Sequence, residues 1–186
     1  QPIGGFFISL HERNTRRIMN EKRRLLGMTL DELKGVAFEA GLPGYAAKQM
    51  ADWLYKKKVT SIAAMTNIAS AKRALLEKNF EVGAVPPSDL MKSVDGTIKY
   101  LYPAGPGNFV ESVYIPTEDR ATLCVSSQVG CKMNCLFCMT GKQGFTKNLS
   151  ANEILNQIQS LPETEELTNI AVSYTHLRAH ETTLHL

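Results

Sequence analysis

The chain has 186 residues, of which 44% are hydrophobic, and it carries 21 Lys and Arg against 18 Asp and Glu. This composition is typical of a folded globular protein and excludes an intrinsically disordered one. The net charge of +3 is too small to indicate nucleic acid by itself, and no apolar run approaches the roughly 18 residues of a membrane-spanning helix. The four cysteines all lie between Cys124 and Cys138, so a disulfide framework is excluded and a reducing cytoplasm is predicted.

The first part of the chain is predicted to be helical. Residues 1–18 show no clear period and are interpreted as a non-native leader, after which a helical module is expected over residues 19–83. Its first helix begins at the capping box Thr29-Leu-Asp-Glu32, the second ends in the lysine run 56–58, and the third lies around residues 70–79. The apolar faces assigned to these helices contain Leu30, Leu33, Ala37, Ala46, Met50, Trp53, Leu54, Ala74, Leu75 and Phe80.

The period of the apolar residues changes to alternation after Pro87, which predicts a short antiparallel β extension over residues 84–119. Two strands are expected at residues 90–94 and 97–102. They flank the dipeptide Asp95-Gly96, which is typical of a two-residue type I′ hairpin.

A third strand, predicted at residues 109–115, carries a candidate functional carboxylate. Alternation places Glu111 on the same face as the apolar Phe109, Val113 and Ile115. A carboxylate on a buried apolar face is costly unless it is paired or protonated, and burial would make it a better proton acceptor. On the pattern alone, a partly exposed glutamate on an edge strand is an equal alternative.

Residues 120–170 are predicted to begin a parallel α/β barrel. A strand is expected at 121–125, and a second capping box, Ser150-Ala-Asn-Glu153, opens a helix. A further strand is expected at 167–172, and such a β–loop–α–β unit is one repeat of a parallel barrel. The helix residues expected to bury against the sheet are Ile154, Leu155, Ile158 and Leu161.

The loop after the first barrel strand contains Cys131-Lys-Met-Asn-Cys135-Leu-Phe-Cys138. A structural zinc site uses four ligands, whereas an iron–sulfur cluster held by three cysteines leaves one iron open to bind another molecule. One interpretation is therefore a non-enzymatic RNA-binding module whose zinc is held by these three cysteines and Cys124. The other is an iron–sulfur enzyme, in which Cys124 on the strand is not a cluster ligand.

The spacing of the three cysteines, with Phe137 before the last of them, resembles the cluster loop of radical S-adenosylmethionine enzymes. The flanks Glu111-Ser-Val-Tyr-Ile-Pro116 and 122–149 are similar to one family among these enzymes, the RlmN/Cfr RNA methyltransferases. The resemblance runs from about Met19 to Ile170. It implies an α/β fold in which a helical module and a short antiparallel β extension precede the first part of a partial (β/α) barrel.

The same resemblance implies cofactors and site residues. Cys131, Cys135 and Cys138 would hold a [4Fe-4S] cluster whose open iron binds S-adenosylmethionine. Glu111 would be the proton acceptor. Cys124 would be the resolving cysteine, forming a transient disulfide with a methyl-carrying cysteine that this chain does not contain.

The implied reaction is methylation of adenine C2 in 23S rRNA and in tRNA next to the anticodon. Methylation at C8, as in the Cfr branch, remains an alternative. The implied partners are these RNAs, which the helical module would contact, and an electron donor such as flavodoxin, with the chain acting as a cytoplasmic monomer without membrane contact.

Residues 171–186 depart from the family pattern and contain three of the four histidines. His176 and His180 have the spacing of a zinc pair on a helix. The segment is instead interpreted as an artefactual tail after a truncation within the barrel. On that interpretation, the chain is expected to be inactive and, because its parallel sheet edge is open, poorly soluble.

Overall fold

The structure, a computed structural model, describes residues 22–132 and 138–173. The leader 1–18, Cys135 and the histidines of the tail lie outside these ranges. Within them, no helix is long and apolar enough to cross a membrane. The architecture is mixed α/β, as predicted: a helical unit (residues 22–82) is followed by a sheet unit (residues 89–173).

The helical unit is built around the helices that the sequence predicted. They are α1 (Leu30–Glu39), α2 (Tyr45–Ala51) with a π-helical turn (Asp52–Lys56), a 3-10 turn (Ile62–Ala64) and α3 (Ser70–Asn79). Thr29 forms the predicted capping box with Glu32, since each side chain accepts a hydrogen bond from the other residue's backbone N–H. The core is apolar throughout and includes Leu33, Val36, Ala37, Ala46, Met50, Leu54, Met65 and Leu76.

The buried face of α3 differs from the prediction. Leu76 is 1% exposed, whereas Leu75 is 39% exposed, and Ala74 is also exposed. Phe80 is buried as predicted, but it lies in a short strand, β2 (Phe80–Glu81), that pairs in parallel with β1 (Arg23–Arg24). This pairing between distant segments sets the orientation of α3 against the core, and a helical period cannot encode it.

Lys57 and Lys58 of the lysine run 56–58 also make contacts with other side chains, which a fully solvated helix end would not. Lys57 places its ammonium 3.4 Å from the centroid of the Trp53 ring, which is a cation–π contact. Lys58 adopts a left-handed backbone with φ +49° and reaches the sheet unit, where its Nζ lies 2.6 Å from the Glu165 carboxylate. The lysine at the end of the run thus joins the two units.

The sheet unit contains a five-stranded sheet in the order β3-β4-β5-β6-β9. Its strands are β3 (Asp89–Lys92), β4 (Ile98–Pro103), β5 (Phe109–Pro116), β6 (Ala121–Ser126) and β9 (Asn169–Ser173). The first four strands are antiparallel neighbours, whereas β6 and β9 are parallel. The predicted extension and the first barrel repeat therefore form one continuous sheet.

The β3–β4 turn is longer than the predicted type I′ hairpin. Ser93 and Thr97 close it, and Gly96 N–H donates to the Ser93 carbonyl at 3.2 Å. Gly96 has φ +87°, while Asp95 is not among the residues with positive φ. A type I′ turn needs positive φ at both central residues, so this is the three-residue alternative, a type I turn completed by a left-handed glycine.

Helix α5 (Ala151–Gln159) connects β6 to β9 and begins at the predicted Ser150 capping box. Leu161 is buried as expected, and Ile154 and Ile158 are partly buried against the sheet. The fully buried positions within the helix, however, are polar: Asn152, Asn156 and Gln157. This was not predicted, because the sequence does not show that α5 has buried surfaces on two sides.

The asparagines of α5 contact the helical unit and the segment directly after it, residues 83–88. Asn156 exchanges two hydrogen bonds with the Val85 backbone, at 2.7 and 2.8 Å. Asn152 donates to the carbonyls of Leu26 and Gly83 at 3.0 and 3.2 Å. Gly27 packs so closely against α5 that a Cβ there would lie 2.6 Å from the backbone nitrogen of Asn152. Both ends of the helical unit are therefore fixed to one helix of the sheet unit.

We expect Asn156→Ala to lower the free energy of unfolding by about 1–3 kcal/mol, because both backbone groups of Val85 lose their partner in a part-buried site. Urea unfolding followed by circular dichroism measures this. Asn79→Ala, at the exposed end of α3, is the control and should change stability by less than about 0.5 kcal/mol. Equal effects of the two substitutions would contradict the role given to Asn156.

Candidate functional site

The cysteine motif lies in the loop that connects the two strands of an antiparallel ribbon. Strand β7 (Gln128–Gly130) pairs with β8 (Phe145–Asn148), and the short helix α4 (Met139–Lys142) lies between them in the chain. Cys131 follows β7 directly and is 3% exposed, whereas Cys138 is half-buried at the start of α4. The two described cysteines of the motif therefore lie at the two ends of its loop.

Two glycines close the base of this loop. Gly130 has φ +70°, and a Cβ on it would lie 1.6 Å from the carbonyl oxygen of Gly144. The N–H of Cys131 donates to that same oxygen at 3.0 Å. A side chain at position 130 is thus excluded by backbone, and the close approach holds the Cys131 main chain in place.

The described residues fit an iron–sulfur cluster by the chemistry of their donors. Cys131 and Cys138 supply thiol sulfur, which is the ligand of such clusters. Lys132 places its ammonium 4.4 Å from the centroid of the Phe145 ring, which puts a positive charge in the loop directly after Cys131. Within the described ranges no group of three His, Cys, Asp or Glu side chains forms a metal site. The third cysteine, Cys135, lies outside those ranges.

Glu111 and Cys124 lie on one face of the sheet. Cys124 of β6 is directly opposite Val113 of β5, and Glu111 is two residues from Val113 on the same side of the strand. The hydroxyl of Ser126, two residues beyond Cys124, donates to the Glu111 carbonyl at 2.6 Å. The structure thus brings the two candidate residues to neighbouring strands, and β6 continues toward the cysteine loop.

Alternation left open whether Glu111 is buried or partly exposed on an edge strand, and the structure shows it exposed on an interior strand. The face it shares with Phe109 and Ile115 is the exposed one, and these apolar side chains are 50% and 39% exposed. Lys99 of β4 lies on this face as well, and its Nζ is 3.0 Å from the Glu111 carboxylate. The reason is that α5 covers the opposite face, where Val110, Ser112 and Tyr114 are buried.

Gln157 is a site residue that sequence reasoning missed. It is fully buried on α5, and its side-chain amide accepts from Ser126 N–H and donates to the Ser126 carbonyl, both at 2.9 Å. These bonds fix the end of β6 between Cys124 and the cysteine loop. A glutamine in a helix carries no sequence signal for such a role, because the partner is backbone.

An ion pair connects the ribbon to α5. Lys147 of β8 lies 2.7 Å from the Glu153 carboxylate, which also completes the capping box with Ser150. Burial alone would raise the pKa of Glu153, but the hydrogen bonds from Lys147 and Ser150 outweigh it and lower that pKa. Glu153 is therefore held in its charged form, and it joins the helix start to the strand that supports the cysteine loop.

The fold matches a solved structure over most of its length. The chain is similar to a radical SAM methyltransferase from Sphaerobacter thermophilus, with a TM-score of 0.73 and 32% identity, covering 87% of this chain and 50% of that one. A cysteine motif with this spacing in this fold defines a member of the radical S-adenosylmethionine methyltransferase class.

Sequence relatives identify the family. Residues 23–82 match the family model described as the ribosomal RNA large subunit methyltransferase N-terminal domain. A protein of Parabacteroides distasonis, named probable dual-specificity RNA methyltransferase RlmN, is 80% identical over 152 residues, which cover 82% of this chain and 44% of that protein. One of the same name from Bacteroides thetaiotaomicron is 62% identical over 154 residues, with 83% and 45% covered. The chain belongs to the RlmN family, as the resemblance implied, and spans less than half the length of these relatives.

We expect Gly130→Ala to reduce iron uptake on anaerobic reconstitution by more than half, because its Cβ would collide with the Gly144 carbonyl and open the base of the loop. Gly107→Ala is a matched control, since φ is +71° there but a Cβ would meet nothing within 4 Å. Both substitutions carry the backbone cost of about 1–2 kcal/mol for a left-handed alanine. Equal iron content in the two variants would contradict the role of the glycine contact.

Glu153→Gln should keep the capping box, since glutamine also serves at that position, but remove the charge that Lys147 stabilises. Because the folded-state pKa of Glu153 is lowered, its contribution exists above the unfolded pKa and is lost as pH falls through the folded one. We therefore expect the variant to be less stable by about 0.5–1 kcal/mol at neutral pH and equal to the parent in acid. Thermal unfolding across pH measures this, and the exposed Glu118→Gln should show no such trend.

Proposed function

We propose that this chain forms part of an RNA methyltransferase of the RlmN type that uses a [4Fe-4S] cluster and S-adenosylmethionine. The observation that carries the proposal is the sheet face that Glu111 and Cys124 share on the neighbouring strands β5 and β6, of which β6 leads into the Cys131 loop. It supports the roles that family resemblance assigns to these residues. The 80% identity to the Parabacteroides relative supports the same activity for the whole protein.

Cys131, Cys135 and Cys138 are the proposed cluster ligands. Bound to these three cysteines, a cluster would supply the electron for reductive cleavage of S-adenosylmethionine. The chain's own contribution is to hold the ligands. Gly130 and Gly144 fix the main chain at Cys131, and burial of Cys131 keeps water from its sulfur.

Glu111 and Cys124 are the proposed catalytic residues. In the closed-shell adduct between RNA and a methyl-carrying cysteine, the carboxylate of Glu111 accepts the proton from adenine C2. The Cys124 thiolate then attacks the sulfur of that cysteine, and the new disulfide replaces the sulfur–methylene bond. The electron pair released stays on the methylene carbon, which takes up a proton and becomes the methyl group. The Nζ of Lys99 lies 3.0 Å from the Glu111 carboxylate, so a positive charge stands beside the proposed proton acceptor.

RNA is the proposed substrate, and the distribution of charge supports it. Residues 22–82 contain eleven lysines and arginines against six acidic residues, whereas residues 89–173 contain six against nine. Lys and Arg contact RNA phosphates, so this distribution favours the basic helical unit as the part that contacts the RNA backbone. We propose 23S rRNA and tRNA as the particular substrates, adenine C2 as the methylated atom, a flavodoxin-like electron donor and a cytoplasmic monomer, all from family resemblance.

Anaerobic reconstitution of the chain with iron and sulfide tests the cofactor. We expect about four irons per chain and a brown colour. Cys131→Ala should lose most of this iron, whereas Cys124→Ala should keep it, because Cys124 lies on the strand and is not a proposed ligand.

The Cys124→Ala variant also distinguishes an iron–sulfur cluster held by three cysteines from a zinc site held by four. A chain that takes one tight zinc and no iron, and that loses the zinc when Cys124 is replaced, is a four-cysteine zinc module. That outcome would overturn the proposed enzyme function. Retention of iron by Cys124→Ala supports it.

A further inference from the structure

Two aromatic side chains stand out from the surface of the helical unit. Phe38 is 86% exposed and Tyr45 is 68% exposed, although large apolar rings are ordinarily buried or form interfaces. We propose that Phe38 and Tyr45 form a stacking platform for unpaired bases of the RNA substrate. This inference rests on the proposed function, because it assumes that the partner of the helical unit is RNA.

The local structure holds both rings outward. Phe38 is preceded by the buried Ala37, and Tyr45 is followed by the buried Ala46, so α1 and α2 pack through alanines and leave the aromatic residues on the far side. The turn between them is tight, since Leu42 N–H donates to the Ala37 carbonyl at 2.8 Å. The two aromatic residues therefore flank one short turn that a backbone hydrogen bond stabilises.

The surface beside the rings has room for a ligand. A Cβ added to Gly35 or to Gly44 would meet no atom within 4 Å. Gly35 lies one helical turn before Phe38, and Gly44 immediately precedes Tyr45. No side chain from the described part of the chain covers these two positions.

Lysines lie near the aromatic pair. Lys48 is exposed one turn after Tyr45. Lys34 is exposed one turn before Phe38, but its Nζ is paired with the Asp31 carboxylate at 2.7 Å, so it adds little net positive charge. Lys72 donates to the Ala40 carbonyl in the turn itself, at 2.9 Å. The nearby Glu39 carboxylate is occupied by Arg23, 2.9 Å away, so it adds little negative charge to this surface.

This combination favours unpaired RNA over a protein partner. Lysine is depleted at protein–protein interfaces, whereas proteins that bind single-stranded RNA combine stacking rings with cations along the phosphates. A paired base has both faces occupied by its neighbours in the helix. The platform therefore requires loop or bulge nucleotides, which is where a flipped or unstacked adenine would be found.

Filter binding of the chain to an RNA stem-loop, with the same stem as a closed duplex, tests the inference. We expect Phe38→Ala/Tyr45→Ala to weaken stem-loop binding roughly fivefold to a hundredfold, with an unchanged dependence on salt. Lys48→Ala should instead reduce the slope of log affinity against log salt by about 0.7. Val94→Ala, at a fully exposed position of the sheet unit, should have no effect.

A 2-aminopurine placed in the loop gives a second readout, since its fluorescence is quenched when it stacks. We expect the parent chain to quench it and the double variant not to. If the parent binds the stem-loop and the double variant binds equally well, the platform is wrong while RNA binding stands. If the parent binds no RNA at all, or if replacing the rings only dissolves a dimer of the chain, the RNA partner itself fails.

Discussion

The packing of α5 between the two units is the constraint on which the rest of the structure depends. On one side of the helix, Asn152 and Asn156 bind backbone groups of the helical unit and of the segment directly after it. Gln157 binds the backbone at the end of β6. Amides satisfy both donors and acceptors of a peptide group, so buried backbone on both sides keeps its hydrogen bonds. The proposed RNA-contacting unit and the strand that carries Cys124 are thereby both held in place by one helix, α5.

The same helix explains why the candidate site is open. It covers the face of the sheet that holds Tyr100, Tyr114 and Leu123, and this leaves Glu111 and Cys124 on the other face. Tyr114 donates to Glu166 in the segment after α5, and that hydrogen bond raises the pKa of the tyrosine to about 12. A second such bond joins Tyr100 to Glu163. The covered face is thus closed by both apolar contacts and hydrogen-bonded tyrosine hydroxyls, and the two candidate residues lie on the opposite face.

Positioning in this site depends on backbone more than on side chains. Gly130 lies so close to the Gly144 carbonyl that no Cβ fits at position 130, and this contact fixes the main chain at Cys131. The capping box at Ser150 serves a similar purpose, because Glu153 also binds Lys147 of the ribbon. Short-range backbone contacts define geometry more precisely than long flexible side chains, which suits the role proposed for this loop as the holder of a cluster.

The sequence by itself determined the features that depend on near neighbours. Both capping boxes, the helices they open and the strand at 109–115 were predicted correctly, because hydrogen bonds within four residues and alternation along one strand are local. The cysteine spacing likewise sufficed to recognise the family, although the roles of Cys124 and Glu111 stay predictions. The tertiary structure alone decided which strand face is covered, and it leaves Glu111 on the exposed face, a point that alternation had left open. It also decided that Leu76 replaces Leu75 in the core and that three polar residues of α5 are buried, because in each case the partner lies far away in the chain.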